Sequence, residues 1–166
     1  MGAGDDQFVE FVRARTTALR RTAFLLCGDW HHAEDLVQTA LIKLFRAWPK
    51  VSHGGEDAYA RQVLVRVAID ESRRFWRRER AAAELPDNPA PEGSADLSLD
   101  VRRALATLPV RQRAIVVLRY WEDLSVAEVA RLLGCPQGTV KTQASRGLAK
   151  LRDMVTASNG LLEGHR

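Results

Sequence analysis

Cysteine is scarce in this chain of 166 residues: Cys27 and Cys135 are the only two, so there is no disulfide framework and a reducing compartment is the natural setting. No window is apolar and long enough to cross a bilayer, and the N-terminus lacks the pattern of a secretory signal. Insertion into a membrane is therefore not expected, and the cytoplasm is. Convincing period-two alternation is missing, which argues against strands, and no internal repeat is visible. Nor is there a nucleophile elbow, a phosphate loop or a carboxylate pair in a plausible pocket. The chain is accordingly not expected to be an enzyme, and no cofactor is expected. Cys27 and His31 stand at helical i,i+4 spacing with His32 beside them. Two or three ligands without a second cluster are weak evidence for a metal, and a core cysteine near a solvated turn is the preferred reading.

Excess charge is also modest. Twenty-five Lys and Arg against 21 Asp and Glu leave a formal net charge of +4. That sum alone would not identify a nucleic-acid binder, but its distribution is informative. Residues 61–80 hold seven Arg against three acids, and residues 136–152 hold four basic residues and no acid. Between them, residues 81–100 hold five acids and neither Lys nor Arg. Two cationic surfaces separated by an anionic strap fit a protein that meets the phosphate backbone twice.

What is present is helix after helix. Phe8, Val12, Leu19, Ala23 and Leu26 form a stripe running down to Gly28. A second helix is predicted over about 31–48, ending at Pro49, and a third from about Asp57 to Arg80, with a turn across Pro49–Glu56. Residues 81–96 carry three Pro, one Gly and almost no large apolar residue, the composition of a linker. Leu97, Val101, Ala104, Leu105 and Leu108 open a second module, and Ala114, Val117, Leu118 and Trp121 continue it. The expected fold is all-α: two small helical bundles, 1–80 and 97–157, a linker over 81–96 and a short tail over 158–166. Sixteen extended linker residues reach at most roughly 55 Å, or about sixteen base pairs at ~3.4 Å each.

The last third has the pattern of a helix-turn-helix. Ser125 and Glu128 form a capping box, Val126, Val129, Ala130 and Leu133 give one apolar stripe, and Gly134 is a suitable stop. Pro136 suits the first turn of the next helix. There Val140, Ala144, Leu148, Leu151 and Val155 make the buried side, leaving Gly138, Lys141, Thr142, Ser145, Ala149 and Arg152 opposite. That side is small, polar or basic and could enter a major groove; the bland alternative is a solvated basic face. In the second helix Val37, Leu41, Leu44 and Trp48, with Ala33 and Ala40, mark the core face. The far side holds Asp35, Gln38, Thr39 and Arg46 around Ile42. An apolar residue ringed by hydrogen-bonding groups suits a modest protein interface, although single exposed apolar residues are common.

On these motifs the chain resembles a bacterial RNA polymerase sigma factor of the extracytoplasmic-function (ECF) group, in its actinobacterial SigE-like subfamily. AEDLVQTALIKLFRAW is similar to region 2.2 and VLVRVAIDESRRFWRRER to regions 2.3 to 2.4. LATLPVRQRAIVVLRYWEDLSVAEVARLLGCPQGTVKTQASRGLAKLR is similar to region 4, and the resemblance spans roughly residues 8–155. It implies that Asp35, Gln38, Thr39, Ile42 and Arg46 dock on the β′ clamp helices of the polymerase core, with Thr39 standing where many members carry an acid. It implies that the second bundle meets the β flap and that Lys141, Thr142, Gln143, Ser145 and Arg146 read the minus-35 element, Gln143 replacing a commonly basic residue. Arg66, Asp70, Arg73, Arg74, Arg77 and Arg78, with Arg80, would hold the minus-10 element, where Asp70 takes the place of a frequent Asn. A carboxylate only accepts hydrogen bonds, so the base it prefers can differ. Phe75 and Trp76 could stack on bases or belong to the core. The acidic linker would replace region 3.2, and an anti-sigma factor would be a further partner. Two rivals stand beside this reading: a dimeric helix-turn-helix regulator that binds an operator without polymerase, and a protein-binding adaptor.

Overall fold

The computed structural model describes residues 2–51, 53–79 and 99–163, with side chains for 2–51, 53–72 and 100–157. Helix is the only regular structure among the described residues. The chain divides into two compact units, Met1–Pro89 and Ala90–Arg166. Each has its own core.

The first unit contains α1 (Ala3–Cys27), α2 (Trp30–Ala47) and α3 (Glu56–Glu79). Gly28 ends α1 in the left-handed region at φ 78°, and its N–H donates to the Phe24 carbonyl. Asp29 then opens α2 by accepting from the His31 N–H at 2.8 Å. Two residues therefore suffice to reverse the chain, because one needs no Cβ clearance and the next supplies an N-cap. The turn is sealed by Phe24 stacked on Trp30, with ring centroids 4.0 Å apart.

Helix α2 packs against both α1 and α3, and this moves its core face. Leu36 and Leu44 are fully buried, flanked by Ala33, Val37 and Ala40. Leu41 and Trp48, expected within that core, are only half-buried. A face closed from two sides centres between its neighbours, which a single-stripe wheel does not capture. Trp48 begins a short 3₁₀ turn, Trp48–Lys50, and packs edge-on against Phe8 and tilted against Phe11. Arg15–Asp57 at 2.7 Å and Arg20–Glu34 at 2.6 Å tie the outside of the bundle. From α3, Leu64 and Val65 are fully buried.

The second unit contains α4 (Leu99–Thr107), α5 (Val110–Val116), a π turn (Val117–Trp121), α6 (Val126–Leu133) and α7 (Gln137–Glu163). Every residue from Gln112 to Leu118 is buried, so α5 and its continuation form the central pillar. Arg113 is among them. Its guanidinium donates to the carbonyls of Leu105 at 2.8 Å, Ala106 at 3.1 Å and Leu108 at 3.1 Å. A buried cation thus sits at the C-terminal end of α4, where the helix dipole and orphan carbonyls favour positive charge.

Trp121, one of the apolar residues that continue the second module, is 46% exposed. The π turn is the reason. The Glu122 N–H reaches back to the Val117 carbonyl, so residue 122 takes the place beneath 117 that a regular helix would give 121. Asp123 then adopts φ 56°, and the Arg119 guanidinium bonds the Leu124 carbonyl at 2.5 Å to close the turn. Leu97, Phe75, Trp76, the 81–96 stretch and the tail lie outside the described residues or their described side chains.

Candidate functional site

Three surfaces carry the expected binding residues. On α2, Asp35, Gln38 and Arg46 are exposed, Thr39 is half-buried, and Ile42 is 55% exposed. They share the side of α2 away from Leu36 and Leu44. Ile42 is not a lone apolar residue. Phe45, one turn on, is 50% exposed, and Phe8, Val12, Leu41, Ile42, Phe45 and Arg46 line a shallow cleft of about 300 Å³ between α1 and α2. Phe8 meets Phe45 edge-on at 5.0 Å. Phe8, Val12 and Phe45 were not among the expected residues. Phe45 follows Ile42 at i+3 and was legible on the wheel, whereas the α1 side of the cleft needs the tertiary pairing.

On α3, Arg66 and Asp70 are exposed one turn apart. His32 of α2 approaches Glu71 at 3.9 Å on the same stretch of α3. The side chains of Arg73, Arg74, Arg77 and Arg78 lie outside the described residues, as does Arg80. The Cys27 thiol donates to the Asp29 carbonyl at 3.2 Å, within the interhelix turn. Among the described residues no group of three His, Cys, Asp or Glu side chains converges to hold a metal.

The third surface is built on the helix-turn-helix. The Ser125 hydroxyl accepts from the Glu128 N–H at 3.1 Å, and the Glu128 carboxylate accepts from the Ser125 N–H at 3.0 Å. That reciprocal cap fixes the start of α6. Gly134 ends α6 at φ 65°, and Arg111 holds the Leu133 carbonyl at 3.3 Å. The Pro136 carbonyl accepts from the N–H groups of Thr139 and Val140, so Pro136 stands at the mouth of α7. Along α7, Val140 and Ala144 are buried, while Gly138, Lys141, Thr142, Ser145, Arg146, Ala149 and Arg152 are exposed. The exposed side bears three cations, two hydroxyls and no bulky apolar group.

Gln143 departs from this pattern. It is half-buried, and its side-chain carbonyl accepts from the Gln112 amide at 2.8 Å. The expected contact set on α7 therefore divides, four residues facing outward and one drawn toward α5. No described helix is long and apolar enough to cross a membrane.

Comparison with known proteins agrees with both halves of the chain. The Sigma-70 region 2 family matches residues 11–78, and the Sigma-70 region 4 family matches residues 98–151. The RNA polymerase sigma-E factor of Streptomyces coelicolor is 38% identical over 162 residues, covering 91% of this chain and 87% of its own. The ECF RNA polymerase sigma factor SigE of Mycolicibacterium smegmatis is 33% identical over 153 residues, covering 87% of this chain and 60% of its own. Among solved structures, the sigma factor RpoE of Bartonella quintana, in complex with the anti-sigma factor NepR, superposes with a TM-score of 0.74 at 27% identity. The superposition covers 90% of this chain and 97% of that one. Two region families in the right order, together with relatives of one kind matched over about nine-tenths of this chain, establish that it belongs to the sigma-70 family of RNA polymerase sigma factors, in its ECF group.

Proposed function

We propose that the chain is an alternative sigma factor: it binds core RNA polymerase and directs initiation at promoters by reading their minus-35 and minus-10 elements. It supplies specificity to an enzyme rather than a catalytic site of its own, and it works in the cytoplasm, where that enzyme is. The exposed Lys141, Thr142, Ser145 and Arg146 face of α7, presented by a helix-turn-helix whose first helix is capped at both ends, is the observation that carries the reading. A helix with this face can lie in the major groove with hydroxyls and cations toward base edges and phosphates.

The outer face of α2 is the docking surface for the β′ clamp helices. Asp35, Gln38, Thr39 and Arg46 form a polar rim around Ile42, the usual arrangement of a modest interface. Arg66 and Asp70 on α3, with Arg73, Arg74, Arg77 and Arg78 after them, serve the minus-10 strand. The second unit meets the β flap. An anti-sigma factor is a further partner, as for the Bartonella quintana relative. Division into units 1–80 and 97–157, with 81–96 between them, lets each bundle bind separately while the tether couples both readouts.

Run-off transcription tests the whole. Purified chain plus core polymerase, on a genomic promoter library with start sites mapped, should give discrete initiation sites sharing an upstream hexamer. Tight, sequence-specific duplex binding by the chain alone, with no complex formed with core polymerase, would favour a stand-alone regulator instead.

A further inference from the structure

Helix α7 is fastened to α5 by one buried side chain. Gln112 is 5% exposed. Its amide nitrogen donates to the Gln143 side-chain carbonyl at 2.8 Å, and its own side-chain carbonyl accepts from the Lys150 ammonium at 3.3 Å. Gln143 and Lys150 are two turns apart on α7, and Gly147 lies between them on the same side. A Cβ at Gly147 would stand 2.5 Å from Val116 Cγ2 and 3.2 Å from Gln112 Cγ, so these two α5 side chains pack directly on the α7 backbone there. One side chain thus grips α7 on either side of Gly147.

The grip bears on base readout because of where it sits. Gln143 follows Thr142 directly and precedes Arg146 by one turn, and both of those are exposed on the DNA-facing side. Apolar contacts such as Val140 and Ala144 are non-directional and would tolerate some roll of the helix. Hydrogen bonds are directional and weaken steeply with misalignment, more so when shielded from water. A roll of about 20° carries side-chain tips roughly 2 Å around a helix whose outer radius is about 5–6 Å. That displacement is enough to break a bidentate contact to a base edge.

We infer that Gln112 is a positioning residue for promoter selection: through Gln143 and Lys150 it sets the rotation of α7, and so decides which bases Lys141, Thr142, Ser145 and Arg146 meet. Gln143 acts inward, as the partner of Gln112, and not as a reader of DNA. The inference rests on α7 being the minus-35 reading helix.

The test uses the full chain with core polymerase on a promoter library randomised at the upstream hexamer, scored by relative transcript yield per hexamer. Gln112→Met and Gln143→Met should each flatten or shift the preference between best and next-best hexamers by about tenfold. The double variant should be no worse than Gln112→Met alone, since that change already removes the bond to Gln143. Pairing Gln112→Glu with Gln143→Lys re-creates a donor and an acceptor at the same two positions and should restore discrimination. Leu118→Ala serves as the comparator for lost stability: it should lower yield on all hexamers while leaving their ranking unchanged. Unaltered ranking in both methionine variants, or additive losses in the double, overturns the inference even if yield falls. Should Gln112→Met fail to fold, Gln143→Met, at a half-exposed position, decides alone. A wild-type chain without any hexamer preference would instead sink the reading of α7 on which the inference stands.

Discussion

Two side chains show how much single groups contribute here, and in which direction. Arg113 is 6% exposed and donates to three carbonyls at the end of α4. Arg113→Met keeps much of the volume but strips those acceptors of a charged donor. The expected loss is about 2–4 kcal/mol, read as a lower denaturation midpoint of the second unit. Arg113→Lys should recover only part of it, because an ammonium cannot span three carbonyls as a planar guanidinium does. Glu56, at the start of α3, has its carboxyl held below the ordinary glutamate range, chiefly by hydrogen bonding from its own N–H and that of Gly54, with the His53 imidazole adding attraction. A depressed value in the folded state means that the stabilisation is present above the unfolded value of about 4.3. It is lost as pH falls through the lower folded value. The melting-temperature difference between wild type and Glu56→Gln should therefore be flat near neutrality and close as pH falls below the ordinary glutamate range. A difference that grew on acidification would contradict that assignment.

At the scale of elements, Gly147 poses two opposing effects. Alanine in a helix interior is worth up to about 1 kcal/mol over glycine. At this position its methyl would meet Val116 Cγ2 at 2.5 Å, and overpacking of that kind costs about 1–3 kcal/mol. Crowding wins, so Gly147→Ala should lower the unfolding free energy by about 1–2 kcal/mol. Adding Val116→Ala should return part of the loss, a coupling that a double-mutant cycle in urea would detect. The sequence could not show this contact, because it joins residues that no local period relates. Local signals were legible: the Ser125–Glu128 box, the stops at Gly28 and Gly134, and the exposed side of α7 all follow from spacing and side-chain chemistry. The exposure of Trp121 is not legible in the sequence, because a wheel at fixed pitch has no place for the π turn beneath it. Leu36 went unnoticed, and Leu41 was set too deep, because two helices close over α2 at once. The same reason hid the α1 wall of the cleft beside Ile42, whereas Ile42 itself stood out as an apolar residue on a polar face. Gln112 reads as an ordinary polar residue and Gln143 as one of the minus-35 contacts; their pairing needs α5 and α7 brought side by side.

For the whole molecule, the decisive property is that Leu64 and Leu118 are each fully buried in separate cores. Truncating either to alanine should cost about 2–5 kcal/mol. Being in different units, the two losses should fall on different unfolding transitions and add when combined. That independence is what gives tethering its force. If the α2 face binds polymerase and the α7 face binds duplex, each interaction alone can be weak, and the connection makes the second event intramolecular. Joining two such sites raises their combined strength by about 10²–10⁴ without a new contact. Dividing the chain within 81–96 should therefore leave both halves helical by circular dichroism, although bundles this small are marginal. It should also reduce promoter-specific run-off transcription by a factor in that range at submicromolar concentration. Raising the concentration of the C-terminal half should recover activity, since mass action then replaces the tether. Equal activity of the split and intact chains at low concentration would mean that polymerase itself holds both bundles tightly enough, and that the covalent link contributes nothing to promoter choice.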